Sequence, residues 1–343
     1  MKKIVIHQAG SFDQLKIEEH PSPRPANKEI KVKIHAVGIN YADVVVRWGL
    51  YKSAKEFVGW PITPGFEFSG TVDTVGSGVE NFSIGQKVFG VTFFNGYSTE
   101  ICIPEHQLFH LPDNMTMDEA AGFPAVFMTA YHAMFQNIVM RSKMQTIVHS
   151  AAGGVGSALL QLCKLRDMET IGVVGSSHKV GWAKNMGANH VIDKSKEDLW
   201  SRVEEIYREG PEVIFDANGG ESIKKGFALL RKGGKMISYG SHTILPKKSG
   251  RLDYTKLAWA WLTAPRFNIL NMNTRSLVTF NLSFLFDREE LLKEAMNDLV
   301  IWAKESKIKA LPVTSYKFDD VAQAHKDLQS GQTMGKLILK MDA

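Results

Sequence analysis

Apolar and polar residues alternate along the first third of the chain. In residues 30–37 nearly every second side chain is apolar, and similar runs recur between turn signals such as Pro61, Asn95 and Gly96. Alternation with a period of two is typical of strands that bury one face. Residues 1–123 are therefore predicted to form a largely antiparallel, barrel-like β domain.

The pattern changes near Phe123 and Pro124, where short apolar runs begin to alternate with amphipathic segments. The predicted strands are residues 147–149, 170–174, 190–192, 213–215 and 235–239. Four helices are predicted. The first begins near residue 154, the second is capped by Ser177 and ends at Gly187, and the other two cover 196–208 and 221–230. Such βαβ repetition is typical of a parallel sheet covered on both faces, and residues 276–284 would add a sixth strand at its edge.

The end of the chain returns to the texture of its beginning. An amphipathic helix is predicted over 287–304, followed by strands at 313–318 and 336–340 on either side of a helix over 319–330. We therefore predict an α/β protein of two domains. One consists of 1–123 with 285–343, and the other is a doubly wound parallel-sheet domain over 124–284.

A small-residue turn follows the first strand of the second domain. Residues 151–156 read Ala-Ala-Gly-Gly-Val-Gly and lead directly into an apolar-spaced helix. This arrangement gathers backbone N–H groups and the positive end of a helix where a pyrophosphate can bind. Ala151 replaces the first glycine of the usual G-x-G-x-x-G pattern. The predicted dinucleotide contacts in this turn are Ala152, Gly153, Gly154, Val155 and Gly156.

The end of the second strand indicates which dinucleotide binds. An NAD site usually carries an acid there to hold the ribose 2′-OH, but residues 174–177 read Val-Gly-Ser-Ser. Ser176, Lys179 and Lys194 suit a 2′-phosphate better, so NADPH is the predicted cofactor. The alternative is that Lys179 is simply a solvated helix residue.

Composition and charge narrow the class of protein. The 343 residues are 44% hydrophobic and 22% charged, and the formal net charge of +5 is dispersed, so no nucleic-acid partner is expected. No signal peptide and no run of about 18 uncharged apolar residues stand out, so no membrane span is expected. Only Cys102 and Cys163 occur. Both are predicted to be core residues. So few cysteines in a chain of this length indicate a reducing compartment, so the cytoplasm is the expected location.

Seven ordered motifs carry a resemblance to a known family. They are 37–43 Val-Gly-Ile-Asn-Tyr-Ala-Asp, 47–51 Arg-Trp-Gly-Leu-Tyr, 64–70 Pro-Gly-Phe-Glu-Phe-Ser-Gly, 72–76, 128–131 Met-Thr-Ala-Tyr, 151–156, and 216–220 Asp-Ala-Asn-Gly-Gly. Through them nearly the whole chain resembles zinc-independent medium-chain dehydrogenases/reductases of the quinone oxidoreductase (zeta-crystallin) branch. Within it, the chain is similar to the vesicle amine transport protein homologue group. The resemblance implies a GroES-like catalytic domain and a Rossmann NADP(H)-binding domain.

The same resemblance indicates whether the protein binds zinc and which reaction it catalyses. Zinc-dependent relatives carry a Cys in the loop that matches 38–43 and a His before the Glu in 64–70, where this chain has Asn40 and Phe66. A structural zinc site would need four closely spaced cysteines. We therefore expect no metal. Hydride transfer from NADPH to a quinone or an α,β-unsaturated carbonyl is the expected reaction, because the conjugation of such substrates carries the developing charge.

The resemblance also implies roles for single residues. Asn40 would lie beside the nicotinamide, with Thr129 near it, and Tyr51 would donate a hydrogen bond or proton to the substrate. Each has a plainer alternative: a turn residue for Asn40, a self-bonded helix residue for Thr129, and a packed aromatic for Tyr51. Further residues expected at the cofactor are Asn218, Gly240 and Ser241.

Four other polar residues have structural or open interpretations. Asp43 and Arg47 are expected to form a structural pair, and Asp216 to be a structural acid at a strand end. His242 would either bind substrate or phosphate or be an exposed loop residue.

The apolar segment within 243–275 would line the substrate cleft, cover an interface or touch lipid. A homodimer through the edge strand near 276–284 is expected. The alternative function is an NADPH-binding interaction or membrane-associated protein with little turnover.

Overall fold

A computed structural model describes residues 1–243, 255, 258, 262 and 274–341 of the chain. The chain forms two compact units. The first, called here the β unit, consists of Met1–Met128 and Ser283–Ala343; the second, the α/β unit, is Thr129–Leu282.

The described elements are numbered here in chain order. The strands are β1 Lys2–Val5, β2 Lys16–Glu19, β3 Glu29–Ile39, β4 Glu67–Val75, β5 Lys87–Val91, β6 Glu100–Pro104, β7 Leu108–His110, β8 Gln145–Val148, β9 Glu169–Val174, β10 His190–Asp193, β11 Val213–Asp216, β12 Lys235–Ser238, β13 Ser276–Thr279, β14 Val313–Lys317 and β15 Lys336–Lys340. The helices are α1 Tyr41–Arg47, α2 Lys52–Phe57, α3 Met117–Ala121, α4 Pro124–Phe135, α5 Gly154–Leu165, α6 Val180–Asn185, α7 Leu199–Ile206, α8 Glu221–Leu229, α9 Glu289–Lys304 and α10 Val321–Ser330.

The β unit is built around one seven-stranded sheet. Its strand order is β14-β15-β3-β4-β5-β7, with β6 paired to β3, and every pairing except β14 with β15 is antiparallel. The alternation that marked residues 30–37 is visible in β3, where Ile30, Val32 and Ile34 are at most 2% exposed. A mostly antiparallel β domain is therefore confirmed.

The C-terminal strand β15 lies beside β3 in this sheet. Leu337 pairs with Ile39 and Ile338 with Gly38 in antiparallel register. The start of β15 therefore meets the end of β3, which brings residues about 300 positions apart in the sequence to the same sheet end.

The α/β unit contains six parallel strands in the order β10-β9-β8-β11-β12-β13. The chain runs outward from β8 to β10 and then crosses back to β11. Ligands of doubly wound sheets bind at the carboxyl ends of the strands beside such a reversal. The predicted Rossmann-like domain is confirmed, and the dinucleotide turn follows β8 at this point.

Two predicted elements differ from the structure. The edge strand stops at Thr279, because its last partner is Ser238 at the end of β12, and a 3-10 turn follows over Leu282–Leu285. The helix after β9 begins with a 3-10 turn, Ser177–Lys179, so Ser177 is not its cap. The Ser177 hydroxyl instead donates to Asp193 over 2.6 Å.

The two cysteines have different environments. Cys163 on α5 is fully buried, as predicted. Cys102 is half-buried, and the prediction that it is a core residue is wrong. It occupies the middle of β6, where Ile101 and Ile103 turn inward and the residue between them therefore faces the other side.

In the described ranges, no helix is long and apolar enough to cross a membrane. Most of the segment 243–275, with its predicted cleft, interface or lipid role, lies outside the described residues.

Candidate cofactor and substrate site

The dinucleotide turn connects β8 to α5 by a sharp change of direction. Ser150 has a positive φ of 53°, and its carbonyl accepts a hydrogen bond from the Gly153 N–H over 2.9 Å. A Cβ atom on Gly156 would lie 2.3 Å from the same carbonyl oxygen, so only glycine fits there. Gly153 caps α5 in an extended conformation, and the first helical residues are Gly154 and Val155.

This geometry suits an anion. The first N–H groups of a helix have no partner within the helix, and the helix dipole adds positive potential at that end. Ala151 and Ala152 are buried under the turn, and the Ala151 N–H donates to the Val173 carbonyl of β9. The turn is therefore tied to the neighbouring strand, and its small side chains leave the backbone accessible to a pyrophosphate.

The loop after β11 contacts the same turn. The buried carboxylate of Asp216 accepts hydrogen bonds from the Gly219 N–H at 2.8 Å and the Ser222 hydroxyl at 2.7 Å. This arrangement fits the structural role expected for Asp216. The Ser150 hydroxyl donates to the Asn218 side-chain oxygen over 3.3 Å, so Asn218 lies beside the dinucleotide turn.

Gly240 and Ser241 follow β12, and Ser241 is exposed. The N–H of His242 donates to the Ala217 carbonyl, and burial lowers the pKa of the His242 imidazole to about 4. His242 is half-buried, so it is not a fully exposed loop residue, and a role in binding substrate or phosphate stays a prediction.

Polar side chains surround the carboxyl end of β9. Ser176 caps the 3-10 turn that contains Lys179, and burial lowers the pKa of Lys179. The exposed Lys194 donates its N–H to the Val174 carbonyl, and its side-chain Cε lies 3.7 Å from the position a Cβ atom on Gly175 would take. The three predicted phosphate residues therefore cluster near one strand end.

One acidic residue at this strand end was not predicted from the sequence. Asp193, at the end of β10, accepts hydrogen bonds from the hydroxyls of Ser177 and Ser195, which hold the pKa of its carboxyl below the usual range. Both oxygens are thus engaged by neighbouring hydroxyls. Finding Asp193 required the pairing of β10 with β9, because the fingerprint places the discriminating acid on the second strand.

In the β unit, Asn40 lies between β3 and α1 and is held at three points. Its backbone N–H donates to the Asp43 carboxylate at 2.8 Å, as expected for an N-terminal cap position. Its side-chain nitrogen donates to Glu67 Oε1 at 2.9 Å, and its side-chain oxygen accepts from Lys336 Nζ at 2.5 Å. Asn40 is therefore a turn residue, which was the plainer alternative. Its side-chain amide is also held in place by Glu67 and Lys336.

Glu67 and Lys336 form a buried ion pair. Lys336 Nζ lies 2.6 Å from Glu67 Oε1, and the two side chains are 3% and 0% exposed. The other oxygen of Glu67 accepts from the Ala125 N–H near the start of α4. A Cβ atom on Gly38 would lie 2.3 Å from Glu67 Oε1, so glycine provides the space for this carboxylate.

Neither Lys336 nor a role for Glu67 was predicted from the sequence. Glu67 stands inside the motif at 64–70, which was the available signal. Lys336 begins an apolar strand and looks like a solvated strand end. Only the register of β15 against β3 shows that it meets Asn40.

The expected Asp43–Arg47 pair does not form, and this prediction is wrong. Asp43 accepts from the Tyr97 hydroxyl at 3.1 Å, whereas Arg47 donates to Gln329 and, at 3.4 Å, to His325 Nδ1. The Tyr97 hydroxyl lies 3.1 Å from His325 Nε2, so two buried side chains separate the carboxylate from the guanidinium. Asp43 turns back toward the start of α1, while Arg47 reaches α10.

The hydrogen bonds of this buried chain have one direction. Because Arg47 can only donate to Nδ1 of His325, Nε2 carries the proton and donates to Tyr97, whose hydroxyl donates to Asp43. Burial lowers the pKa of His325 to about 3 and raises that of Asp43 to about 7. Arg47 also stacks over Phe12, 4.3 Å from its ring centre. The chain fixes α1 against the C-terminal segment.

The remaining predicted residues have simpler surroundings. Tyr51 precedes α2, and its ring packs against Phe66 and Phe94 with centroid distances of 5.7 and 6.3 Å. This packing fits the plainer alternative for the ring, and the hydrogen-bonding role of the Tyr51 hydroxyl stays a prediction. Thr129 is a half-buried residue of α4. Across the described residues, no group of three or more His, Cys, Asp or Glu side chains is arranged to hold a metal ion.

Comparison with known proteins agrees with this geometry. Residues 26–138 match the alcohol dehydrogenase GroES-like domain, and residues 186–339 match a family described as zinc-binding dehydrogenase. The synaptic vesicle membrane protein VAT-1 homolog of Mus musculus is 30% identical over 99% of this chain and 83% of its own length.

Two solved structures extend the comparison. The quinone oxidoreductase of Escherichia coli complexed with NADPH is 28% identical, with a TM-score of 0.85 over 99% of this chain and all of that one. The human synaptic vesicle membrane protein VAT-1 homolog-like protein is 28% identical, with a TM-score of 0.82 over all of this chain and 98% of the other. The chain therefore belongs to the medium-chain dehydrogenase/reductase superfamily, in its quinone oxidoreductase-like branch, with VAT-1 homologues among its relatives.

Proposed function

We propose that this chain is an NADPH-dependent oxidoreductase that transfers a hydride to a quinone or an α,β-unsaturated carbonyl without zinc. The observation that carries the proposal is the dinucleotide turn, where Gly156 packs against the Ser150 carbonyl and leaves the start of α5 accessible to a pyrophosphate. Doubly wound sheets bind dinucleotides at such a reversal point, and this supports the proposal.

Three observations support NADPH over NADH. The second strand, β9, ends without an acid, in Val174-Gly175-Ser176. Lys179 and Lys194 lie near that end, and the carboxylate of Asp193, which pairs with Val174, is already bonded to Ser177 and Ser195. The related quinone oxidoreductase of Escherichia coli was solved in complex with NADPH. We propose that Ser176, Lys179 and Lys194 bind the 2′-phosphate.

Two side chains of the β unit support a conjugated carbonyl or quinone as the hydride acceptor. Where zinc-dependent relatives would carry a thiolate and an imidazole, this chain has the amide of Asn40 and the phenyl ring of Phe66, neither of which binds zinc well. NADPH supplies a hydride at nicotinamide C4. An acceptor whose own conjugation spreads the developing charge needs only positioning and hydrogen-bond donors from the protein.

The proposed residue roles follow from these surroundings. Asn40 contacts the nicotinamide or the acceptor, and Tyr51 and Thr129 are secondary candidates for the same region. The proposed cofactor contacts in the α/β unit are Ala152, Gly153, Gly154, Val155, Gly156, Asn218, Gly240 and Ser241.

The test is loss of NADPH absorbance with a panel of ortho-quinones, para-quinones and enones. The proposal expects saturable oxidation with at least one acceptor class. Asn40→Ala should lower kcat while fluorescence titration shows unchanged NADPH affinity. Absence of turnover across the whole panel would contradict the proposal.

A second candidate function has one observation in its favour. The relative from Mus musculus is named a synaptic vesicle membrane protein. A protein that binds NADPH and acts through protein or membrane contacts would show NADPH binding without acceptor-dependent turnover. Sedimentation with lipid vesicles, measured with and without NADPH, separates this candidate from the enzyme.

We also propose a cytoplasmic homodimer. The half-exposed strand β13 ends the six-stranded sheet among the described residues, which suits pairing across a two-fold axis. A monomeric mass in light scattering at micromolar concentration would contradict the dimer, and fractionation of the source cells tests the location.

A further inference from the structure

We propose that Lys336 is a positioning residue that, with Glu67, holds the side-chain amide of Asn40 in one orientation, so that the amide donates a hydrogen bond to an oxygen atom of the hydride acceptor. This inference rests on the proposed function and adds a residue to it. Its basis is the buried triangle formed by Asn40, Glu67 and Lys336.

The chemistry of the two charged groups fixes the amide. An ammonium group can only donate hydrogen bonds, and an ionised carboxylate can only accept them. Lys336 therefore attracts the oxygen of the Asn40 amide, and Glu67 attracts its nitrogen, at 2.5 and 2.9 Å. A flipped amide would place its NH₂ group against the ammonium and its oxygen against the carboxylate. Only one orientation satisfies both contacts.

The fixed orientation leaves one donor for a ligand. The amide nitrogen of Asn40 has two N–H groups, and one is bonded to Glu67. The other makes no hydrogen bond within the described part of the chain, and Asn40 is only half-buried. Its oxygen already accepts from Lys336, so the second N–H is the donor that the amide offers a ligand.

The surrounding backbone makes the arrangement rigid. The register that pairs Leu337 with Ile39 continues to Lys336 and Asn40, so the sheet itself places the two residues opposite each other. Glu67 is held from its other side by the Ala125 N–H at 2.8 Å. Glycine at position 122 provides space for the lysine, because a Cβ atom there would lie 2.4 Å from Lys336 Cγ.

A donor held in this way suits the proposed reaction. When a hydride adds to the β-carbon of an enone, or to a quinone, negative charge develops on an oxygen atom. A preorganised N–H aimed at that oxygen stabilises the transition state more than the ground state. The ammonium on the amide oxygen polarises the amide, which strengthens its N–H groups as donors.

A double-mutant cycle on kcat tests the inference. The variants are Lys336→Gln, Asn40→Ala and the double replacement, with Lys340→Gln as the control on the same strand; Lys340 pairs with Asp118 near the surface. Lys336→Gln should lower kcat about tenfold or more, with NADPH affinity unchanged by fluorescence titration, because a neutral amide no longer selects one orientation of Asn40. In the Asn40→Ala background the same change should cost less than about twofold.

Two results overturn the inference. Equal losses of kcat in both backgrounds would show that Lys336 does not act through Asn40. An effect of Lys340→Gln as large as that of Lys336→Gln would assign the loss to strand stability.

NMR spectroscopy tests the positioning role of Lys336 without a measurement of turnover. The side-chain amide signals of Asn40 in ¹⁵N-labelled protein, assigned by their absence in Asn40→Ala, should show one slowly exchanging proton. Lys336→Gln should shift these signals and speed that exchange, whereas Lys340→Gln should not. Unchanged Asn40 signals in folded Lys336→Gln would refute the positioning claim, even in a protein with no detectable turnover. Absence of turnover in the native protein would contradict only the proposed function.

Discussion

The dinucleotide turn of the α/β unit and the Asn40 network of the β unit are built in opposite ways. The dinucleotide turn of the α/β unit is made from backbone within one short stretch, and its key contact joins Gly156 to Ser150. The Asn40 network of the β unit joins side chains up to 296 positions apart in the sequence. The turn depends on the absence of side chains, and the network depends on three particular ones. They should therefore fail through different physical causes.

Replacing Lys336 should give the largest effect on stability. Lys336→Met leaves the Glu67 carboxylate buried and unpaired, which we expect to lower the free energy of unfolding by about 3–5 kcal/mol. Urea denaturation measures the loss. The matched Lys340→Met removes a half-exposed ion pair and should cost about 1 kcal/mol or less. Similar losses for the two lysines would contradict the buried network.

Replacing Gly156 should break the turn by a steric route. The Cβ atom of Gly156→Ala would meet backbone, so we expect a loss of about 3 kcal/mol in stability and loss of NADPH binding. Gly181 on α6 is the control, because a Cβ atom there meets nothing within 4 Å. Gly181→Ala should be neutral or stabilising by up to about 1 kcal/mol. Normal NADPH affinity in Gly156→Ala would refute the assigned turn.

The buried chain from Asp43 to Arg47 contains two groups whose shifted pKa values change stability in opposite senses as the pH falls. The pKa of His325 is lowered from 6.5 to about 3, so between these values the unfolded chain binds the proton and the folded chain does not. Stability from His325 is therefore lost as the pH falls below 6.5, by about 2 kcal/mol at pH 5. Asp43 acts in the opposite sense, because its pKa is raised from 3.8 to about 7.

His325→Gln isolates the histidine contribution to this pH dependence. The pKa values of His149 and His242 are also lowered by burial, but both residues remain in the variant. Denaturation at pH 7 and pH 5 should therefore show a smaller acid loss in His325→Gln than in the native protein. Equal or greater acid loss in the variant would contradict the neutral, buried imidazole.

The smallest predicted effect concerns cofactor choice. Lys179→Ala should weaken NADPH binding about tenfold and leave NADH binding nearly unchanged, since the lysine would contact only the 2′-phosphate. Fluorescence titration with both cofactors measures the ratio, and NADH is the internal control. Equal losses for the two cofactors would remove the phosphate role from Lys179.

The contrast between turn and network also explains what the sequence can predict. Local patterns identified the parallel strands, the dinucleotide turn and the strand at 336–340, because each depends on neighbours in the chain. The predicted edge strand, 276–284, is longer than β13, because β13 ends where its partner β12 ends. An Asp43–Arg47 pair was predicted, but the sequence around α1 does not reveal that Tyr97 and His325 lie between the two residues. Lys336 could be found only through strand register.

Deuterium transfer is the direct test of whether this protein moves a hydride from NADPH to a conjugated acceptor. The native protein is incubated with NADPH carrying deuterium at nicotinamide C4, with both stereochemical labels in separate runs, and with an enone acceptor. We expect that one label, and not the other, delivers a single deuterium to the carbon β to the carbonyl, as seen by mass spectrometry. Saturable NADPH binding with no deuterium in any product across enones, and no reduction of quinones, would contradict it.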